Sequence, residues 1–188
     1  MSLLEIIAVA LSLAYVLLAM FQNRLCWIAA FVSALCYLVI FAEVKLYMES
    51  GLQLIYAGMA ILGWFSWGGD KESQHELPVS TRPLIFHGVM CLGISLVTVI
   101  SGALLTALTD AARPFLDAAT TVAAIACTWM VTRKILENWL YWIVINAVSV
   151  WLFMDRGLDL TSGLYALYVL LSLAGYLSWR RSIDVSVE

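Results

Sequence analysis

The sequence is short of charge. Of 188 residues only 10 are Lys or Arg and 13 are Asp or Glu, 12% together, while 63% are hydrophobic. Soluble domains carry about 25% charged residues, so a water-soluble globular fold is excluded. Histidine is confined to His75 and His87, too few and too far apart for a haem or metal centre. No lysine sits within an apolar run, since Lys45, Lys71 and Lys134 all flank one, which excludes a retinal-type Schiff base. There is no GxGxxG and no phosphate-binding glycine loop, and no series of intramembrane acids that a proton relay would need. An enzyme or a primary pump is therefore not expected, nor is any cofactor. The four cysteines (Cys26, Cys36, Cys91, Cys127) form no CxxC and have no paired histidine. They read as buried thiols packing like small apolar groups, without a disulfide framework or a zinc site.

What is present in abundance is apolar sequence cut into lengths that span a bilayer. A hydrocarbon core of roughly 30 Å needs about 20 helical residues, and only helices or closed barrels satisfy the backbone there. Seven spans are predicted, near 3–21, 25–42, 46–68, 84–108, 114–132, 137–154 and 160–179. The first has no basic segment before it and runs into the second through Asn23-Arg24, so a cleaved signal peptide is not expected. Lys and Arg fall seven on one side (Arg24, Lys71, Arg82, Arg133, Lys134, Arg180, Arg181) and three on the other (Lys45, Arg113, Arg156). The positive-inside rule then places the C-terminus in the cytoplasm and the N-terminus outside. Acids show the opposite bias: Glu5, Glu43, Glu49, Asp110, Asp117, Asp155 and Asp159 gather towards the outer side. That field would draw in cations, although insertion rules alone would also thin the positive residues there.

The chain repeats itself. Shifted by 112 residues, 27–68 aligns with 139–180 without a gap: Trp27 on Trp139, Phe41 on Phe153, Ser50-Gly51-Leu52 on Ser162-Gly163-Leu164, Tyr56 on Tyr168, Gly63 on Gly175, and Ser66-Trp67 on Ser178-Trp179. The aligned pieces are the second and third spans and the sixth and seventh. The fold class is thus an all-α polytopic membrane protein with parallel three-helix repeats in a 3+1+3 order. The expected units are a first repeat (1–68), a cytoplasmic loop with a linker helix (69–110), and a second repeat with a short cytoplasmic tail (111–188). Parallel repeats about an axis along the membrane normal are a transporter architecture, SWEETs among them, with substrate held near midplane.

Polar residues inside the spans mark where such a site would lie. Trp139, Trp142 and Asn146 are spaced i, i+3, i+7, one helical face, with the amide halfway along its span. An interfacial tryptophan belt plus one helix–helix hydrogen bond would produce the same pattern. The third span offers Glu49, Gln53 and Tyr56 on one face, and Tyr165 and Tyr168 occupy the positions of Gln53 and Tyr56 in the second repeat. Asp117 opens the fifth span, followed by Thr120 and Thr121. Indole and phenol faces attract cations and stack on flat rings, while amides fix hydroxyl or amino edges. A small, flat, cationic heteroaromatic compound is the guest this set suits.

These residues carry a resemblance. TRKILENWLYWIVINAVSVWLF (132–153) and LYMESGLQLIYAGMAILGWFSW (46–67) resemble the PnuC family of bacterial vitamin transporters. The signature WxxWxxxN is matched by Trp139, Trp142 and Asn146, the third-helix glutamine by Gln53, the following aromatic motif by Gly63-Trp64-Phe65-Ser66-Trp67, and the acid opening the fifth helix by Asp117. The resemblance implies a SWEET-like bundle in the bacterial inner membrane. It also implies facilitated diffusion of an unphosphorylated B vitamin that is trapped inside by phosphorylation. Trp139, Trp142, Asn146 and Gln53 would bind it, with Glu49, Tyr56, Asp117, Tyr165 and Tyr168 around them. Thiamine is expected over nicotinamide riboside, the alternative, because the chain shows only the seven-helix core and because Glu49 sits one turn from Gln53. Expected partners are the vitamin, membrane lipid and further copies of the chain in a trimer; nucleic acid is not.

Overall fold

A computed structural model describes residues 3–43, 47–68, 77–109, 113–155 and 159–185. The described residues form seven helices: α1 (Leu3–Met20), α2 (Cys26–Glu43), α3 (Tyr47–Trp67), α4 (Leu84–Leu108), α5 (Pro114–Thr132), α6 (Asn138–Asp155) and α7 (Asp159–Val185). Five of them (α1, α2, α4, α5 and Ser162–Ile183 of α7) carry stretches long and apolar enough to cross a membrane, and Asn138–Leu152 of α6 is apolar but shorter. The expected spans and the helices agree to within a residue or two except at the end. There α7 runs six residues past Trp179, through Arg180 and Arg181. Beyond the hydrocarbon a polar helix needs only a dock: Ser182 bonds back to the Trp179 carbonyl at 2.7 Å and takes a 3.0 Å bond from Gln22.

Helix contacts close a ring. α1 packs on α2, α2 on α3, α3 on α5, α5 on α6, α6 on α7 and α7 on α1, while α4 lies outside against α5. Exchanging the two repeats maps this ring onto itself, with the α3–α5 contact becoming α7–α1. The chain is therefore a 3+1+3 bundle with parallel repeats, α4 being the odd helix.

The repeated sequence motifs are the pins of this symmetry. Ser50 of α3 donates to the Leu38 carbonyl of α2 at 3.1 Å, and Ser162 of α7 donates to Val150 of α6 at 3.2 Å. Trp67 donates through Nε1 to the Val131 carbonyl of α5 at 3.1 Å, and Trp179 to Ala19 of α1 at 2.9 Å. Within a membrane apolar side chains have little hydrophobic drive to associate, so helix pairs rely on packing and such bonds. The Trp bonds join the two repeats, and the Ser bonds tie each repeat internally. α1 and α5 end alike as well. Gln22 (φ 57°) and Lys134 (φ 47°) both take the left-handed conformation that closes a helix, followed by Asn23 N–H to Leu18 O (2.9 Å) and Ile135 N–H to Met130 O (3.1 Å).

Four tryptophans fill the end of the ring where these turns lie. Trp27 meets Trp67 edge-on (centroids 5.3 Å, 86°), Trp67 meets Trp179 (5.9 Å, 61°), and Trp179 meets Trp139 (5.4 Å, 90°). The series is symmetric about the Trp67–Trp179 contact. Edge-to-face geometry is the preferred one for aromatic pairs. Gly63 and Gly175 make room for it: a Cβ on Gly63 would overlap the Trp27 indole, and one on Gly175 would stand 2.7 Å from Trp139.

Residues 77–82 of the connector lie on the same end, where Ser80 N–H bonds the Lys134 carbonyl (2.9 Å) and Leu136 N–H bonds Ser80 O (2.8 Å). The rest of the expected connector, 69–76, lies outside the described residues. The cysteines correct one expectation: Cys26 and Cys127 are buried, but Cys36 is half-buried and Cys91 is exposed on α4. α4 packs along α5 and touches α6 through His87, which hydrogen-bonds Tyr141 at 3.0 Å, and the rest of its circumference faces outward.

Candidate functional site

Four helices contribute phenol or thiol groups within the bundle. Tyr15 of α1 packs on Trp27 (ring centroids 5.8 Å), Cys127 of α5 is fully buried, and Tyr56 of α3 and Tyr165 of α7 are half-buried. Tyr15 and Cys127 are repeat counterparts, 112 positions apart, so both repeats send the same position inward. Tyr165 and Tyr168 of α7 meet edge-on at 5.9 Å and 81°, and Tyr37 of α2 stacks on Phe41 at 5.5 Å.

The sequence-derived residues divide between this interior and the closed end. Trp139 is buried, in the tryptophan series against Gly175. Its Nε1 has no hydrogen-bond partner among the described residues, and neither does Nε1 of its counterpart Trp27. Trp142 is half-buried on a different cluster, with Cys127, Met130, Ile135 and Ile145, and so adjoins the interior through Cys127. Asn146 is buried and donates to Ser172 of α7 at 3.3 Å, while Ser172 donates on to the Tyr168 carbonyl at 2.7 Å. That is the helix–helix bond the sequence also allowed. Gln53 is half-buried and makes no polar contact among the described residues. Asp117 is half-buried in the first turn of α5, where Thr120 bonds its carbonyl at 3.1 Å. The side chain of Glu49 lies outside the described residues. The structure therefore joins Asn146 to Ser172 one turn from Tyr168, packs Trp142 on the Cys127 cluster, and sets Trp139 in the tryptophan series against Gly175.

Tyr15, Cys127, Trp27, Trp67 and Trp179 were not among the expected site residues. For the tryptophans the signal was present as repeat identities. For Tyr15 and Cys127 it lay only in the 112-residue offset, because the two residue types differ. The expected acidic mouth is also modified, since Asp155 is ion-paired with Arg113, whose guanidinium lies 4.9 Å from the Trp151 ring.

A ring of two parallel three-helix repeats, plugged at one end, is an architecture of membrane transporters. Comparison with known proteins narrows it. The sequence profile of the nicotinamide mononucleotide transporter family matches residues 2–181. The chain belongs to that family, and it is a transporter, not an enzyme. It is 28% identical to the nicotinamide riboside transporter PnuC of Escherichia coli (strain K12), over 76% of this chain and 70% of that one. It is 26% identical to PnuC of Haemophilus influenzae, over 81% and 71% of the two chains. It is also 26% identical to the riboflavin/roseoflavin transporter RibM of Streptomyces davaonensis, over 70% and 63%. In fold it is similar to a crystal structure of the vitamin B3 transporter PnuC, with TM-score 0.75, 22% identity, and coverage of 96% of this chain and 82% of that one. The expectation of thiamine is corrected by these relatives: the pyridine-nucleoside carriers stand nearest to the alternative reading, and Glu49 gave no sound basis for a choice.

Proposed function

We propose that this protein carries nicotinamide riboside across the membrane by facilitated diffusion. The observation that carries the mechanism is the symmetric tryptophan series with its reciprocal Trp67–Val131 and Trp179–Ala19 bonds, which among the described residues join one repeat to the other at one end. Opening that end means parting the repeats. It breaks those two bonds, the Ser178–Met20 bond (2.9 Å) and the Lys134–Gln22 bond (3.3 Å). Each is worth about 0.5–1.5 kcal/mol net, somewhat more for the charged one. The total is within what differential substrate binding can offset.

The relatives named for nicotinamide riboside support the substrate, and so does the chemistry of the interior. A pyridinium ring suits the faces of Tyr56, Tyr165 and Trp142. The amides of Gln53 and Asn146 and the orphan N–H of Trp139 can meet a carboxamide and ribose hydroxyls. A phosphate would find no basic side chain among these residues, which favours the riboside over the nucleotide. The tryptophan end, rimmed by Arg24, Arg82, Arg133, Arg180 and Arg181, faces the cytoplasm in this reading.

The test is uptake of labelled nicotinamide riboside into proteoliposomes at zero voltage without ion gradients, with and without an enclosed riboside kinase and ATP. Equilibration without kinase and accumulation with it are expected, with unlabelled riboside competing better than thiamine or riboflavin. Uptake that requires a proton or sodium gradient, or preferential competition by thiamine, would sink the proposal.

A further inference from the structure

Outside the ring, between the start of α4 and the end of α5, the tryptophan end carries an open cleft of about 470 Å3. It is lined by Arg82, Pro83, Phe86, Trp129, Arg133 and Ile135. Both arginines are exposed, and neither guanidinium forms an ion pair among the described residues. Among the described residues no acid lines the cleft. The adjacent carboxylate, Glu137, accepts the backbone N–H of Arg82 through Oε1 at 3.1 Å and faces His87 Nε2 at 3.9 Å, while its Oε2 is buried without a partner among the described residues. The floor is aromatic, with the Phe86 and Trp129 rings 24° from parallel and their centroids 6.4 Å apart. α4 begins after Pro83 with no side-chain cap, so its partial positive pole adds to the field of the two guanidinium groups.

The cleft also continues into an apolar track. From its edge α4 exposes Ile85 (77%), Val89 (67%), Leu92 (71%) and Leu96 (62%), spaced at helical intervals along the outward side of a spanning helix. Two unpaired arginines above an apolar strip, at the level where the helix leaves hydrocarbon, match the two halves of one kind of molecule.

We propose that the cleft binds the headgroup of an anionic phospholipid. Its phosphate lies between Arg82 and Arg133, its glycerol region over Phe86 and Trp129, and its acyl chains along α4. Planar guanidinium forks hold phosphate oxygens in pairs, and basic pockets at the membrane surface select acidic lipids in this way. A free phosphate would meet the same two arginines but leave the strip uncovered, so the lipid is the occupant that both features favour. Because α4 packs along α5 and reaches α6 through the 3.0 Å His87–Tyr141 bond, a lipid gripping the entry of α4 and the C-cap of α5 would add a further fastening of the linker helix to the second repeat.

The experiment uses the full chain in neutral detergent, titrated with phosphatidylglycerol, phosphatidylcholine or inorganic phosphate, with the unfolding midpoint and native mass spectra as readouts. Phosphatidylglycerol should raise the midpoint saturably and remain as a bound adduct, while the other two should do neither. Arg82→Gln with Arg133→Gln should weaken apparent affinity about tenfold or more through loss of two charge-assisted contacts. Arg180→Gln with Arg181→Gln, equally basic but outside the cleft, should stay within about twofold, as expected if nonspecific charge attraction is minor. Should the glutamine pair not purify, the double lysine variant, which keeps the charge but loses the fork, should fall between wild type and control lipid. Equal stabilisation by phosphatidylcholine, an undiminished response of the Arg82/Arg133 variant, or an equal response to inorganic phosphate would overturn the proposal.

Discussion

Lys134 donates a 3.3 Å hydrogen bond from Nζ to Oε1 of Gln22, the residue that holds its own position in the other repeat. Both have left-handed backbones, and both close the first helix of their repeat. The pseudo-twofold axis thus passes between two side chains that differ in chemistry and are bonded because they differ: two lysines would repel. Lys134 is only 2% exposed, and its ammonium also lies 4.8 Å from the Trp67 ring. A charge buried so deeply is held by such partners or not at all.

Lys134→Met should loosen the tryptophan end. Loss of a hydrogen bond to a charged group is worth about 1.5–3 kcal/mol, so the population open at that end should rise about tenfold or more. The readout is maleimide labelling of the fully buried Cys26 in a background lacking the other three cysteines. An unchanged labelling rate would show that the clasp does not hold the end shut.

Glycine replacements should separate two classes. Gly63→Ala and Gly175→Ala drive a methyl into the Trp27 and Trp139 indoles and should each destabilise by about 1–3 kcal/mol. Gly58→Ala, with nothing within 4 Å of the new carbon, should be neutral or mildly stabilising through helix propensity. Thermal unfolding in detergent compares them. Equal midpoints across the three would mean that the tryptophan packing is not tight.

Asn146→Leu should lower nicotinamide riboside affinity about tenfold, the equivalent of roughly 1.4 kcal/mol, with little loss of stability. Ser172 keeps its own bond to the Tyr168 carbonyl, so the helix pair loses only one 3.3 Å contact. Ser172→Ala removes that same contact and should leave affinity within about twofold, since it spares the amide. If the two variants bind alike in a tryptophan-fluorescence titration, Asn146 serves the helix pair and not the ligand.

The two signature tryptophans should fail in different ways. Trp139→Ala removes an indole packed on Gly175 and Trp179 and should cost about 3–5 kcal/mol of stability. Trp142→Ala, at a half-buried position beside Cys127, should cost less stability and more affinity, about 1–3 kcal/mol of binding to a cationic ring. A stability loss greater for Trp142 than for Trp139 would contradict this division.

The sequence by itself determined the membrane class, the seven helices and the parallel repeat. The reasons are local: span length follows from bilayer thickness, and Ser50/Ser162 and Trp67/Trp179 survive as identities because each makes the same bond in its own copy. It also identified Asn146, Tyr56, Tyr165 and Tyr168 as intramembrane polar groups, since a polar side chain in an apolar run stands out without any structure. What it could not decide was which partner each one meets. Helical periodicity put Trp139 and Trp142 on one face, but a face is wide, and only the packing of α7 on α6 sends one indole to Gly175 and leaves the other beside Cys127. Contacts across the axis were hidden for a related reason. Gln22 with Lys134 and Tyr15 with Cys127 occupy equivalent positions with unlike residues, so comparing the chain with itself does not reveal them. The closure of six helices into a ring brings Gln22 and Lys134 together.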